Sequence, residues 1–204
     1  MSIIAKANAL KLASTTLIFG KSGHGRSHYA IETALNQGSV KVLFITLGAP
    51  SADIPETWDV AQILKWEDFT AVYMEAMKAA YDAIIFDKYN AALELIPTKD
   101  DTPSQQEWGH MAAKWSAQLN RFMGITKSLI VTVAVIEHPT DGRKIDLTPR
   151  ALNNLVDKFS QKHYVFLAND KAGVTNFYVQ PIWAGKGEIF DTSNPKKLGS
   201  LTVA

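Results

Sequence analysis

The sequence predicts an α/β fold, a three-layer core in which a mostly parallel sheet carries helices on both faces. Three observations lead there. Short runs rich in branched apolar residues alternate with longer amphipathic runs, the βαβ rhythm of a sheet buried on both sides. A glycine-rich stretch stands between the first apolar run and the first amphipathic one. The chain has 204 residues, enough for a full three-layer core, and reads as a single domain over 1–204.

The elements follow in order. Thr15–Phe19 is an apolar strand leading into the glycine loop, and Ser27–Gln37 is a helix stopped by Gly38. Val40–Thr46 is a buried strand, and Ala61–Leu64 a short one. Trp66–Ala80 has helical spacing, with Phe69, Val72, Tyr73, Met77 and Ala80 on one face. Tyr81–Asp87 is a second buried strand. The polar, charged segment Pro97–Pro103 is bracketed by prolines, so a mobile loop is expected near 97–105. Ser104–Gly124 is a long helix whose Trp108 and Trp115, seven apart, share a face, with Trp108 as a packing anchor. Ser128–Ile136 is a strand, Ala151–Phe159 a helix, and His163–Ala168 and Val174–Val179 late strands. In such a sheet, ligands bind at the carboxyl ends of the parallel strands.

Composition removes several classes of function. Hydrophobic residues make up 47% and charged residues 20%, as in an ordinary globular protein. The net charge of +1 supplies no global basic field, so any nucleic-acid contact must come from a local patch. The absence of cysteine excludes a disulfide framework, a thiolate metal site and a cysteine nucleophile. The start lacks a signal-peptide apolar run, and no apolar stretch approaches the roughly 18 residues of a bilayer span. A cytoplasmic protein with no membrane partner is expected.

The glycine stretch is Gly20-Lys21-Ser22-Gly23-His24-Gly25-Arg26-Ser27. It fits the phosphate-loop template G-x-x-x-x-G-K-[ST] at every fixed position except the lysine, which is Arg26. Glycines at 20, 23 and 25 are expected to take positive φ and aim backbone N–H groups at phosphate oxygens. The helix behind them adds its positive end. Ser27 is the hydroxyl expected on Mg²⁺, and Arg26 keeps the charge of the missing lysine without its compact shape. Lys21 stands where deviant loops of the partition-ATPase type carry a nucleotide-contacting lysine. The motif therefore predicts ATP with Mg²⁺ as ligand and impaired hydrolysis. Asp87, ending an apolar strand about sixty residues later, is expected on the metal side of the same site.

Together with this loop, Tyr81-Asp82-Ala83-Ile84-Ile85-Phe86-Asp87, Gln106-Glu107-Trp108-Gly109 and Leu129-Ile130-Val131-Thr132-Val133-Ala134 resemble phage-encoded RecA-like P-loop ATPases, the Sak-type group of single-strand annealing and recombination proteins. The resemblance runs from about Thr15 to the Lys186 region. It implies a RecA-like core, ATP and Mg²⁺ as cofactors, and action in DNA recombination in a bacterial host cytoplasm. Single-stranded DNA, a phage single-strand-binding protein and a second copy of the chain are its implied partners. It also implies that loops after the later strands face DNA, which here carry Arg143, Lys144 and Lys171. Lysines and arginines on such loops suit backbone phosphates without sequence readout.

Two departures from the group bear on turnover. Its lysine is replaced by Arg26, and the strand ending Phe44-Ile45-Thr46-Leu47-Gly48 carries no water-activating carboxylate, leaving Asp53, Glu56 or Thr46 as substitutes. An assembly module that binds nucleotide without turnover, and a small P-loop kinase, are the alternatives. A kinase calls for an arginine-rich lid, and the 97–103 segment has no arginine.

Overall fold

A computed structural model describes residues 13–51, 53–98, 103–138, 142–145, 155–169, 171–185, 188–191 and 196–200. Its elements, in chain order, are β1 (Ser14–Gly20), α1 (Arg26–Asn36), β2 (Val42–Thr46), β3 (Asp59–Gln62), α2 (Asp68–Ala79) and β4 (Ala83–Asp87). A 3-10 turn at Tyr89–Leu93 precedes α3 (Gln105–Met123), β5 (Ser128–His138), β6 (Gly142–Ile145) and β7 (Gln161–Asn169). The chain continues through β8 (Thr175–Gly185), β9 (Glu188–Asp191) and β10 (Lys196–Ser200).

The strands form one sheet in the order β10-β8-β7-β1-β5-β4-β2-β3, with β6 on β5 and β9 on β8. From β7 to β3 every pairing is parallel, and β8, β10, β6 and β9 join antiparallel. The expected mostly parallel sheet is therefore present, extended by an antiparallel flank. Because side chains alternate across a strand, β1 sends Leu17 and Phe19 to one face and Ile18 to the other. Ile18, Phe44, Ile85 and Ile130 pack with Ala30, Ile31 and Ala34 of α1. Leu17, Phe19, Ile45, Phe86 and Val131 pack with Phe69 of α2 and Trp115, Leu119 and Phe122 of α3. Burial on both faces explains why these strands read as continuous apolar runs.

The α3 helix starts where its sequence says it should. Ser104 accepts from the Glu107 backbone at 3.3 Å while the Glu107 carboxylate accepts from the Ser104 backbone at 2.8 Å, a reciprocal capping box. Trp115 is fully buried, donating its indole N–H to the Tyr89 carbonyl at 3.1 Å, and the Tyr89 hydroxyl donates to the Trp115 carbonyl at 2.8 Å. That reciprocal pair fastens α3 to the turn that follows β4.

Several expectations shift. Trp108 is 38% exposed rather than an anchor, since core contact in α3 begins only at Gly109 and Met111. On α2 the buried stripe runs through Phe69 and Ala76 with Val72 and Tyr73 packed beside it, and Met77 is exposed. At 100° per residue, Met77 lies about 80° from Phe69, at the margin of that stripe. Ala80 lies just beyond the helix as its left-handed C-cap, at φ 54. In the loop expected near 97–105, residues 99–102 lie outside the described residues, and Ser104 belongs to the cap of α3. Of the expected helix Ala151–Phe159, residues 151–154 also lie outside them. Leu155 and Val156 are helical, as expected, and are buried with Phe159; a turn with Lys158 N–H bonded to Leu155 C=O at 3.1 Å follows them. Among the described residues, no helix is long and apolar enough to cross a membrane.

Candidate functional site

The glycine loop joins the carboxyl end of β1 to α1, with β5 on one side and β7 on the other. Its glycines serve two different purposes. Gly23 and Gly25 have φ of 77 and 81, the left-handed region that costs a side chain about 1–2 kcal/mol. Gly20, the last residue of β1, does not have positive φ, contrary to expectation. It is there for space: a Cβ would lie 2.8 Å from the Val165 carbonyl oxygen and 2.9 Å from Cγ of Arg26. At Gly25 a Cβ would also come within 2.9 Å of the Phe177 ring, so a side chain from β8 braces the loop. Nothing in the sequence spacing points to Phe177, which reaches the loop only through sheet pairing.

The start of α1 differs from those of the other two helices. Gly25 at its N-cap supplies no side-chain cap, and its first turn holds no acidic residue, whereas Asp68 opens α2 and Glu107 caps α3. Neither a side-chain cap nor an acidic residue of its own first turn faces the positive end of the helix dipole here, a condition that favours a bound anion. Ser22 and Gly23 are exposed at the loop tip; Lys21, His24 and Gly25 are half-buried. Arg26 is 9% exposed, with its aliphatic stem against Gly20.

Ser27 and Asp87, sixty residues apart, meet here. The Ser27 hydroxyl donates to Asp87 Oδ1 at 2.8 Å, and the Thr132 hydroxyl, from the middle of β5, donates to the same oxygen at 2.8 Å. Asp87 is 1% exposed, and its second oxygen, Oδ2, is buried with no hydrogen-bond partner. A buried carboxylate oxygen left without a partner is costly and calls for a cation or donor that completes it. The donor set of one hydroxyl and one carboxylate suits Mg²⁺, which keeps few protein ligands and fills the rest with phosphate and water. Among the described residues no cluster of three or more His, Asp or Glu side chains forms an all-protein metal cage. Thr132 was legible as a hydroxyl inside the apolar run 129–134, but only pairing between β4 and β5 brings it to Asp87.

The end of β2, where a water-activating carboxylate would be sought, is built differently. Thr46 is fully buried and its hydroxyl donates to the Gly48 carbonyl at 3.1 Å. Gln62 donates to the same carbonyl at 3.3 Å, and the Lys88 ammonium donates to the Ala49 carbonyl at 3.1 Å. Asp53 reaches α1, but on its exposed side, 3.3 Å from His28 Nδ1. Glu56 is exposed.

The basic residues sit on secondary structure more than on loops. Arg143 and Lys144 belong to β6, paired with Glu137 and Ile136 of β5, so the segment expected as a loop is a hairpin whose tip lies outside the described residues. Lys171 is exposed in the turn between β7 and β8. Since β5 and β7 both run parallel to β1, the hairpin and the turn leave the sheet at the edge that carries the glycine loop.

No protein-family model matches the chain, and no curated protein matches it. Among solved structures it is similar to the flagellar accessory protein FlaH from Methanocaldococcus jannaschii, at 15% identity and a TM-score of 0.58, over 94% of this chain and 90% of that one. At that identity the likeness speaks for the fold. The chain has an α/β, RecA-like core, with its glycine loop at the carboxyl edge of the parallel strands.

Proposed function

We propose that this chain binds ATP with Mg²⁺ in the glycine loop, turns it over slowly, and acts on single-stranded DNA in phage recombination or annealing. The observation that carries the nucleotide reading is the contact between Ser27 and Asp87 beside the unpartnered Oδ2 of that carboxylate. Ser27 and Asp87 would hold the metal, and Gly20 to Arg26 would cradle the phosphates. Mg²⁺, when bound, neutralises charge on the phosphates. Lys21 supplies a further cation beside Arg26.

Slow turnover is supported by Arg26 in the lysine position and by a β2 end without a carboxylate. The same observation favours a second reading, an assembly module that binds nucleotide without hydrolysis. DNA contact is supported by Arg143 and Lys144 on the β5–β6 hairpin and Lys171 in the β7–β8 turn, both of which follow strands parallel to β1 and so lie toward the loop edge. A net charge of +1 makes a homo-oligomer, aided by a phage single-strand-binding protein in the host cytoplasm, the working form for that contact.

The test is a Mg²⁺-ATP titration beside an ATPase assay, with and without single-stranded DNA. Binding in the micromolar to millimolar range is expected, about −4 to −8 kcal/mol. Arg26→Lys should raise the hydrolysis rate, and a wild type already as fast as that variant would remove the argument from Arg26. Fluorescence anisotropy on a labelled oligonucleotide over a salt series tests the DNA reading. Arg143→Ala with Lys144→Ala should lower the slope of log affinity against log salt by about 0.7 for each phosphate that is no longer neutralised. No binding at low salt, with or without nucleotide, would leave only the assembly module.

A further inference from the structure

Lys88 follows Asp87 directly and has φ 59, ψ 40. Among the described residues, only it and Ala80 have positive φ without being glycine. Ala80 closes α2 in the left-handed cap that many helix ends use. Lys88 ends no α-helix; it occupies a conformation that favours glycine at the point where β4 leaves the sheet beside the candidate metal carboxylate. Residues held in such conformations concentrate at functional sites, where surrounding contacts fix them. Those contacts are present: the Lys88 backbone N–H donates to the Thr132 hydroxyl at 2.8 Å, and that hydroxyl donates to Asp87 Oδ1 at 2.8 Å. One further bond of 2.8 Å leads to Ser27 in the glycine loop.

This turn directs the side chain toward the end of β2. Lys88 Nζ donates to the Ala49 carbonyl at 3.1 Å, and a Cβ placed on Gly48 would lie 3.5 Å from it. The acceptor is neutral, and among the described residues no carboxylate pairs with this ammonium. An ammonium is a compact charge with three donors on a flexible four-carbon stem, the form of cation missing from the position before Ser27, where Arg26 stands. A bond from an ammonium to an anionic oxygen is about twice as strong as one between neutral groups, so a phosphate oxygen outcompetes the Ala49 carbonyl.

We infer that Lys88 is the terminal-phosphate cation of this site: on binding a nucleoside triphosphate its Nζ leaves the Ala49 carbonyl for the outermost phosphate. The position where a carboxylate would activate water thus holds a cation that reads the third phosphate, and the site distinguishes triphosphate from diphosphate. This rests on the nucleotide-binding reading above.

Full-length wild type, Lys88→Met and Lys88→Arg are titrated with Mg²⁺ and either a non-hydrolysable ATP analogue or ADP. Loss of the ammonium should weaken the triphosphate by about tenfold or more and ADP by less than about twofold, with arginine falling between. Equal losses for both nucleotides, or no loss for either, would overturn the inference while leaving nucleotide binding intact. A wild type that binds neither nucleotide would overturn both readings. Melting curves verify folding, and if the methionine variant does not fold, Lys88→Gln, which keeps a donor for Ala49 and no charge, must show the same selective loss.

Discussion

Replacing Asp87 by asparagine separates a metal-side role from a structural one, because the two make opposite demands. Asparagine keeps Oδ1 for the Ser27 and Thr132 hydroxyls, each at 2.8 Å. Those bonds change from charge-assisted to neutral, a loss of roughly 1 kcal/mol each. Against this, an unpartnered neutral amide nitrogen replaces the unpartnered charged Oδ2; an orphaned charge costs more than an orphaned neutral donor, and the difference recovers roughly 1–3 kcal/mol. The opposing effects nearly cancel, so stability without ligand should change by no more than about 1 kcal/mol. For a chain of this size that is a melting shift of about 2–4 °C. Nucleotide binding has no such compensation. A unit charge about 4 Å from another at an effective dielectric of 20 contributes about 4 kcal/mol. Even half of that lowers Mg²⁺-dependent affinity about 30-fold. The assay is a fluorescent-nucleotide titration with Mg²⁺ and again with chelator, beside thermal melts of both proteins. Wild type and variant should bind alike in chelator and differ only with the metal. Unchanged affinity with Mg²⁺, or a melting loss of about 10 °C or more, would make Asp87 a structural strand-end residue and refute the reasoning.

Two further substitutions test the loop and its surroundings. Gly23→Ala and Gly25→Ala place alanine at nearly the same positive φ, but only the second meets a neighbour, the Phe177 ring at 2.9 Å. Denaturant midpoints should show a loss of about 1–2 kcal/mol at Gly23 and about 1–3 kcal/mol more at Gly25; equal losses would mean that Phe177 does not brace the loop. Burial holds the His163 ring below the usual histidine range, and its Nδ1 is buried with no hydrogen-bond partner. Above pH of about 6.5 the ring is neutral in both folded and unfolded states; as pH falls, the unfolded chain takes the proton first, so stability declines until the lower folded pKa is passed. His163→Phe should therefore flatten the decline of melting temperature between pH of about 6.5 and 5, and an unchanged slope would assign it to other groups.

Much of the framework was legible because it depends on local patterns. Continuous branched runs mark strands buried on both faces, and the order of Gly20, Gly23, Gly25 and Ser27 marks a tight turn into a helix. Asp87 was legible as a strand-end carboxylate, and the capping box at Ser104 and Glu107 agrees with the helix start expected there. The antiparallel flank was only partly legible: the β5–β6 hairpin read as a loop, because its pairing depends on register rather than composition.

What the tertiary structure alone decided is which residues surround the loop. The sequence places Ser27 and Asp87 sixty residues apart, and only the sheet order, with β5 between β1 and β4, brings the Ser27 and Thr132 hydroxyls to one oxygen of Asp87. Phe177 reaches Gly25 through the β7–β8 hairpin, and Lys88 reaches Ala49 through a left-handed turn that no propensity predicts for lysine. The physical reason is common to all three. Periodicity and glycine spacing reflect the conformation of a few neighbouring residues, whereas a site at the carboxyl edge of a parallel sheet is assembled by strands far apart in the chain.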